Sequence, residues 1–95
     1  MDSKQILIDE ITEEIGLLEV YKDKLENYPG QVISVRVTSI NNLIKTGVSK
    51  GMSNKLKGRK NFFNGGAQGW ITSEIERIDS QLSTRSAFLS SLQEG

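Results

Sequence analysis

Lys45, Lys50, Lys55, Lys57, Arg59 and Lys60 crowd a stretch that holds no acid, and Phe62, Phe63 and Trp70 come after it with Gly65, Gly66 and Gly69 between them. Cations at this density draw phosphates by releasing counterions, and aromatic rings stack on bases. Lys50, Lys55, Lys57, Arg59 and Lys60 are therefore candidate contacts for an anion or a nucleic acid. Two observations compete with this. Basic residues near a helix end also complement its dipole. Domains that hold nucleic acid through such patches are usually basic overall, whereas this chain of 95 residues has 12 bases and 12 acids. The aromatics read either as core that closes the end of a bundle or as anchors for a partner protein.

Catalytic chemistry has little to build on. The chain has no His and no Cys, so the commonest general base, the thiol nucleophile and the usual metal ligands are missing. Asp9–Glu10 and Glu13–Glu14 are adjacent acids, and adjacent helical residues point apart rather than converge. "NGGAQG" (64–69) has Asn64 where a dinucleotide-binding loop opens on glycine, and no strand precedes it. "GVSKGMS" (47–53) lacks the Gly-Lys-Ser/Thr ending of a phosphate-binding loop. No enzyme, cofactor or metal is expected.

The elements that must carry the basic, aromatic stretch are helices. Ile8, Ile11, Ile15, Leu18 and Leu25 recur at intervals of three and four, which predicts a helix over about 3–27 with Asp2 or Ser3 as its cap. Tyr28-Pro29-Gly30-Gln31 predicts a type II turn. Ile33, Val35 and Val37 alternate as a strand does, but Ile33, Val37, Ile40 and Ile44 keep helical spacing. A lone strand has nothing to pair with, so residues 32–38 are taken into a helix of about 32–58. The glycines then predict a loop over 61–69. Ile71, Ile75, Ile78, Leu82, Leu89 and Leu92 restore the rhythm for a helix of about 70–92, which starts either at Ser73 and Glu76, spaced as a capping box, or slightly earlier near Gln68. Lys22 and Arg85 each take one slot in an apolar seam. Such a residue either snorkels to water or sets register.

The chain is thus read as a single all-α domain, a helical hairpin or antiparallel three-helix bundle with coiled-coil-like seams. Its zero net charge is unevenly spread. Residues 1–28 hold eight acids and three bases, residues 29–67 seven bases and no acid, and residues 68–95 four acids and two bases. That layout marks either an interaction surface or acidic helices lying against a basic one within the bundle. Acids throughout residues 1–20 do not resemble a cleavable signal peptide, and no apolar run approaches the roughly 18 residues of a membrane span. A cytoplasmic protein, or one exported without such a peptide, is expected.

A helical chain of this length, without Cys and with a lone Trp in the motif "GGAQGW" (65–70), resembles the WXG100 proteins. It is also similar to the small helical proteins encoded beside LXG toxins of type VII secretion in Gram-positive bacteria. The resemblance implies a helical hairpin that pairs side by side with a partner or with a toxin's helical N-terminal domain, acting as adaptor or targeting chaperone, with Trp70 as a loop aromatic at the bend. Trp70 is followed by Ile71 and Thr72, and neither Tyr21 nor Tyr28 has an acid four places on. A member of this kind would rely on its partner's export signal. The expected function is non-enzymatic pairing with another helical chain or with itself, through Ile11, Ile15, Leu18, Leu25, Phe62, Phe63, Trp70, Ile75, Ile78, Leu82 and Leu89. The alternative is nucleic-acid binding by segment 45–60.

Overall fold

The computed structural model describes residues 2–94, and over them the chain is all-α. Helix α1 is Ser3–Asn27, α2 Pro29–Lys45, α3 Lys50–Asn64 and α4 Gln68–Glu94. None is long and apolar enough to cross a membrane.

Each boundary has a local cause. Asp2 caps α1 by accepting from the Lys4 N–H at 3.1 Å. Tyr28 leaves the helix at φ −135°, as a residue before proline is pushed to do. The expected turn at 28–31 is this one residue. Pro29 occupies the first position of α2, where its missing N–H costs nothing and its fixed φ suits a helix. Residues 32–38 are helical, because that geometry packs Ile33, Val37, Ile40 and Ile44 into one core while Val32 meets Leu25 and Ile78 in another.

The helix expected over 32–58 is two helices. Gly47, at φ +86°, ends α2, and the Ser49 hydroxyl caps α3 by accepting from the Met52 N–H at 3.2 Å. The loop expected over 61–69 shrinks to Gly65–Ala67, since α3 runs on through Phe62 and Phe63. Burial of the Phe63 ring favours continuing the helix. The Ser73–Glu76 capping box is not used, because α4 already begins at Gln68.

The four helices form two antiparallel pairs, α1 with α4 and α2 with α3, and α1 touches α2 over a shorter length. The molecule measures 53 × 27 × 18 Å. We call the α1–α4 pair the stalk and the α2–α3 pair the lobe. Leu25, Val32 and Ile78 form a core where α1, α2 and α4 meet. Ile40, Leu56, Phe63 and Ala67 form a second core inside the lobe. Trp70 packs against both, and its ring meets that of Phe63 edge-on at 5.1 Å. Lys22 and Arg85 reach across the stalk seam to acids on the facing helix, Lys22 to Asp79 at 2.6 Å and Arg85 to Glu14 at 2.9 Å. Their stems lie in the seam while their heads, about a third exposed, pair across it and pin the register.

Candidate functional site

The residues expected at a partner interface divide by depth. Ile11, Leu25, Ile78 and Phe63 are buried within the chain. Ile15, Leu18, Ile75, Leu82, Leu89 and Trp70 are half-buried. Phe62 is exposed. Trp70 lies in the first turn of α4 rather than in a loop. The seam is thus largely covered by the chain's own pairing.

The basic residues fare differently. Lys50, Lys55, Lys57 and Arg59 are exposed and Lys60 is half-buried. None of them, nor Lys45, pairs with an acid among the described residues. The expectation of acidic helices lying along a basic one is therefore not met. The main neighbour of α3 is α2, which holds no acid. The stalk is the acidic body and the lobe the basic one.

At the junction Arg36 is the lobe cation that the stalk engages. Its guanidinium lies 5.2 Å from the centre of the Trp70 ring and donates to the Tyr21 hydroxyl at 3.4 Å. That hydroxyl donates to Glu74 Oε2 at 3.2 Å, and Arg77 holds both Glu74 oxygens at 2.9 Å. The Arg77 hydrogen bonds hold the Glu74 carboxyl below its ordinary pKa, against the desolvation that raises it, with the Arg77 charge, Tyr21 and Arg36 adding to the lowering. Beside this network Tyr21, Lys24, Gln31, Val32, Val35 and Ser39 line an open cleft of about 340 Å³, with Arg36 on its wall. No acid lines it.

Helical geometry gathers the exposed apolar side chains onto the side that carries this cleft. In an antiparallel pair, residues three places past the inward ones share one side, because facing the partner and reversing the chain change the sense of rotation together. On α1, Tyr21 marks that side, with Leu17 four residues before it and Tyr28 seven after; Leu7 lies about four turns before Tyr21. On α4 Phe88 lies there, seven past Gln81. On α2, Val35 is three past Val32 and Leu43 three past Ile40. On α3, Arg59 is three past Leu56, in one row with Met52, Lys55 and Phe62. The Arg36–Tyr21 contact joins lobe and stalk across this cleft. Leu17 and Val35 are each 65% exposed.

Sequence periodicity held no hint of Arg36, Lys24, Leu17 or Met52, while Leu43 extended the helical stripe of α2 and Val35 stood in the strand-like alternation. Arg36, Lys24, Leu17 and Met52 fall outside the main apolar stripe of their helices, and only the pairing of helices puts them beside the others. No protein-family model, curated protein or solved structure matches the chain.

Proposed function

We propose that this protein is a non-enzymatic binding module whose apolar flank docks a second helical chain. One observation carries this: Val35, 65% exposed, lines an acid-free cleft together with Tyr21, Lys24 and Arg36, and Leu17, equally exposed, stands one turn before Tyr21 on α1. Apolar area gathered in this way marks an interaction surface, whereas scattered apolar residues do not. Leu17, Tyr28, Val35, Leu43 and Phe62 would contribute apolar contact, and Tyr21, Lys24 and Arg36 polar anchors. The type VII adaptor role implied by the resemblance is the finer form of this proposal, with a toxin's helical N-terminal domain as the second chain.

The test is a photo-crosslinking amino acid placed in cells at Leu17, Val35 or Leu43 on the flank, and at Glu19 or Lys57 on the opposite side, with adducts mapped by mass spectrometry. Adducts to a helical segment from the flank positions alone are expected. Equal yield from both sides, or none from the flank, removes the proposal.

A further inference from the structure

The side of the lobe turned away from the cleft carries a pattern of its own. Ser34, Thr38, Asn41 and Lys45 each directly follow one of the α2 side chains packed into the lobe core, namely Ile33, Val37, Ile40 and Ile44. On α3, Lys57 directly follows the buried Leu56, with Lys50 seven residues before it and Asn61 four after. A helix turns about 100° per residue, so residues one past the inward ones share this side of the antiparallel pair, as residues three past share the other. Asn54 and Lys60 border the α3 row.

Every one of these outward side chains ends in an ammonium, an amide or a hydroxyl. Asn41 and Lys60 are half-buried and the rest exposed. Residues 29–67 hold no acid, and Lys45, Lys50, Lys57 and Lys60 have no ion-pair partner among the described residues. The exposed large apolar residues of α2 and α3, which are Val35, Leu43, Met52 and Phe62, fall outside these rows. The rows run from Ser34 to Lys45 and from Lys50 to Asn61, each about 16 Å at the helical rise. That is the length of about five successive phosphates of one DNA strand.

We infer that this side of the lobe binds the phosphate backbone of a nucleic-acid duplex, without regard to base sequence. The ammonium groups displace counterions from the backbone, and the Asn, Ser and Thr side chains between them donate to phosphate oxygens. An anionic membrane would call for apolar side chains to bury beneath its headgroups, and these rows hold none. A single strand would call for exposed rings on which bases stack. Phe63 and Trp70 are instead packed into the cores, and Phe62 lies off the rows. The acidic residues belong to the stalk, so the lobe alone meets the duplex while the neutral chain as a whole has no long-range attraction for it. This surface is separate from the cleft and does not depend on what the cleft docks.

The experiment is fluorescence anisotropy of the full chain with labelled mixed-sequence duplexes of about 20 base pairs, DNA and RNA side by side, at about 0.05 to 0.2 M salt. Binding of either duplex is expected, with the logarithm of affinity falling against the logarithm of salt at a slope of about −3.6, four ammonium groups at about 0.9 each. Lys50→Gln/Lys57→Gln should bind at least tenfold more weakly, and its slope should drop to about −1.8. Lys55→Gln/Arg59→Gln, on the cleft side, should keep the wild-type slope and an affinity within about threefold. Circular dichroism checks that both variants are folded. No binding at about 0.05 M salt overturns the inference. Equal losses in the two variants overturn it in favour of diffuse charge. Tighter binding of the matching single strand, displacement of the duplex by polyglutamate at equal charge, or binding of phosphatidylglycerol vesicles without duplex binding each overturns it in favour of that partner. Crosslinking from Leu17 or Val35 to a helical chain is unaffected by any of these results, so the two surfaces fail separately.

Discussion

Ile78→Ala set against Leu17→Ala separates the residues that hold the fold from those that dock. Ile78 has no solvent exposure, and its neighbours Leu25 and Val32 belong to α1 and α2. Truncation removes three carbons, about 2.4 kcal/mol at roughly 0.8 per buried group. The vacated space adds to this, because three helices meeting there cannot all close in, so the expected loss is about 3–4 kcal/mol. A chain of this size has about 5–14 kcal/mol in total, so the variant folds but unfolds at much lower urea. Leu17 is 65% exposed, and its truncation should stay within about 0.5 kcal/mol. The assay is urea unfolding followed by circular dichroism in about 1 M salt, where charge-selected association is screened and does not add to apparent stability. A loss below about 1 kcal/mol for Ile78→Ala, or equal losses for the two variants, would refute the division between core and flank.

Three further perturbations probe how lobe and stalk are joined. Tyr21→Phe removes the hydroxyl between Arg36 and Glu74 and should cost about 1 kcal/mol in urea unfolding; no change would mean that Trp70 packing alone fixes the junction. The lowered Glu74 carboxyl gives stability that is present above its ordinary pKa of 4.5 and lost as pH falls through its folded value, so Glu74→Gln should flatten the acid limb of a stability–pH curve below about pH 4.5, and an unchanged limb would refute it. Gly47→Ala meets no atom within 4 Å, yet its φ of +86° should cost about 1–2 kcal/mol through backbone strain alone, read as a lower melting temperature.

The all-α class was legible because three apolar rhythms each repeat over several turns, and helical period is the strongest signal a sequence carries. Residues 33–38 carry both periods, and the helical one prevails because Val32, Ile40 and Ile44 extend it while no second strand exists to complete the other. Pro29 was legible as a boundary, but proline serves equally well in a turn and at the first position of a helix. The two uses differ only in the segment after the proline, here a helix that buries Val32. Phe62 and Phe63 looked like loop because glycines crowd after them, yet Phe63 has α2 to pack against, a tertiary fact that no window of sequence contains. The cleft was legible only in part: Tyr21 and Tyr28 widen the apolar stripe of α1 and Leu43 that of α2, but nothing in the sequence brings Tyr21 beside Arg36 and Val35 of another helix.

The charge layout narrows what such a flank can meet. Opposite charges placed on neighbouring helices would have neutralised one another inside one molecule, and α2 and α3 would then have carried acids or lain along α1. Instead the basic residues of α3 lie against a helix without acids, while eight acids belong to residues 1–28. A chain that spans both bodies must therefore present bases to the stalk and acids to the lobe.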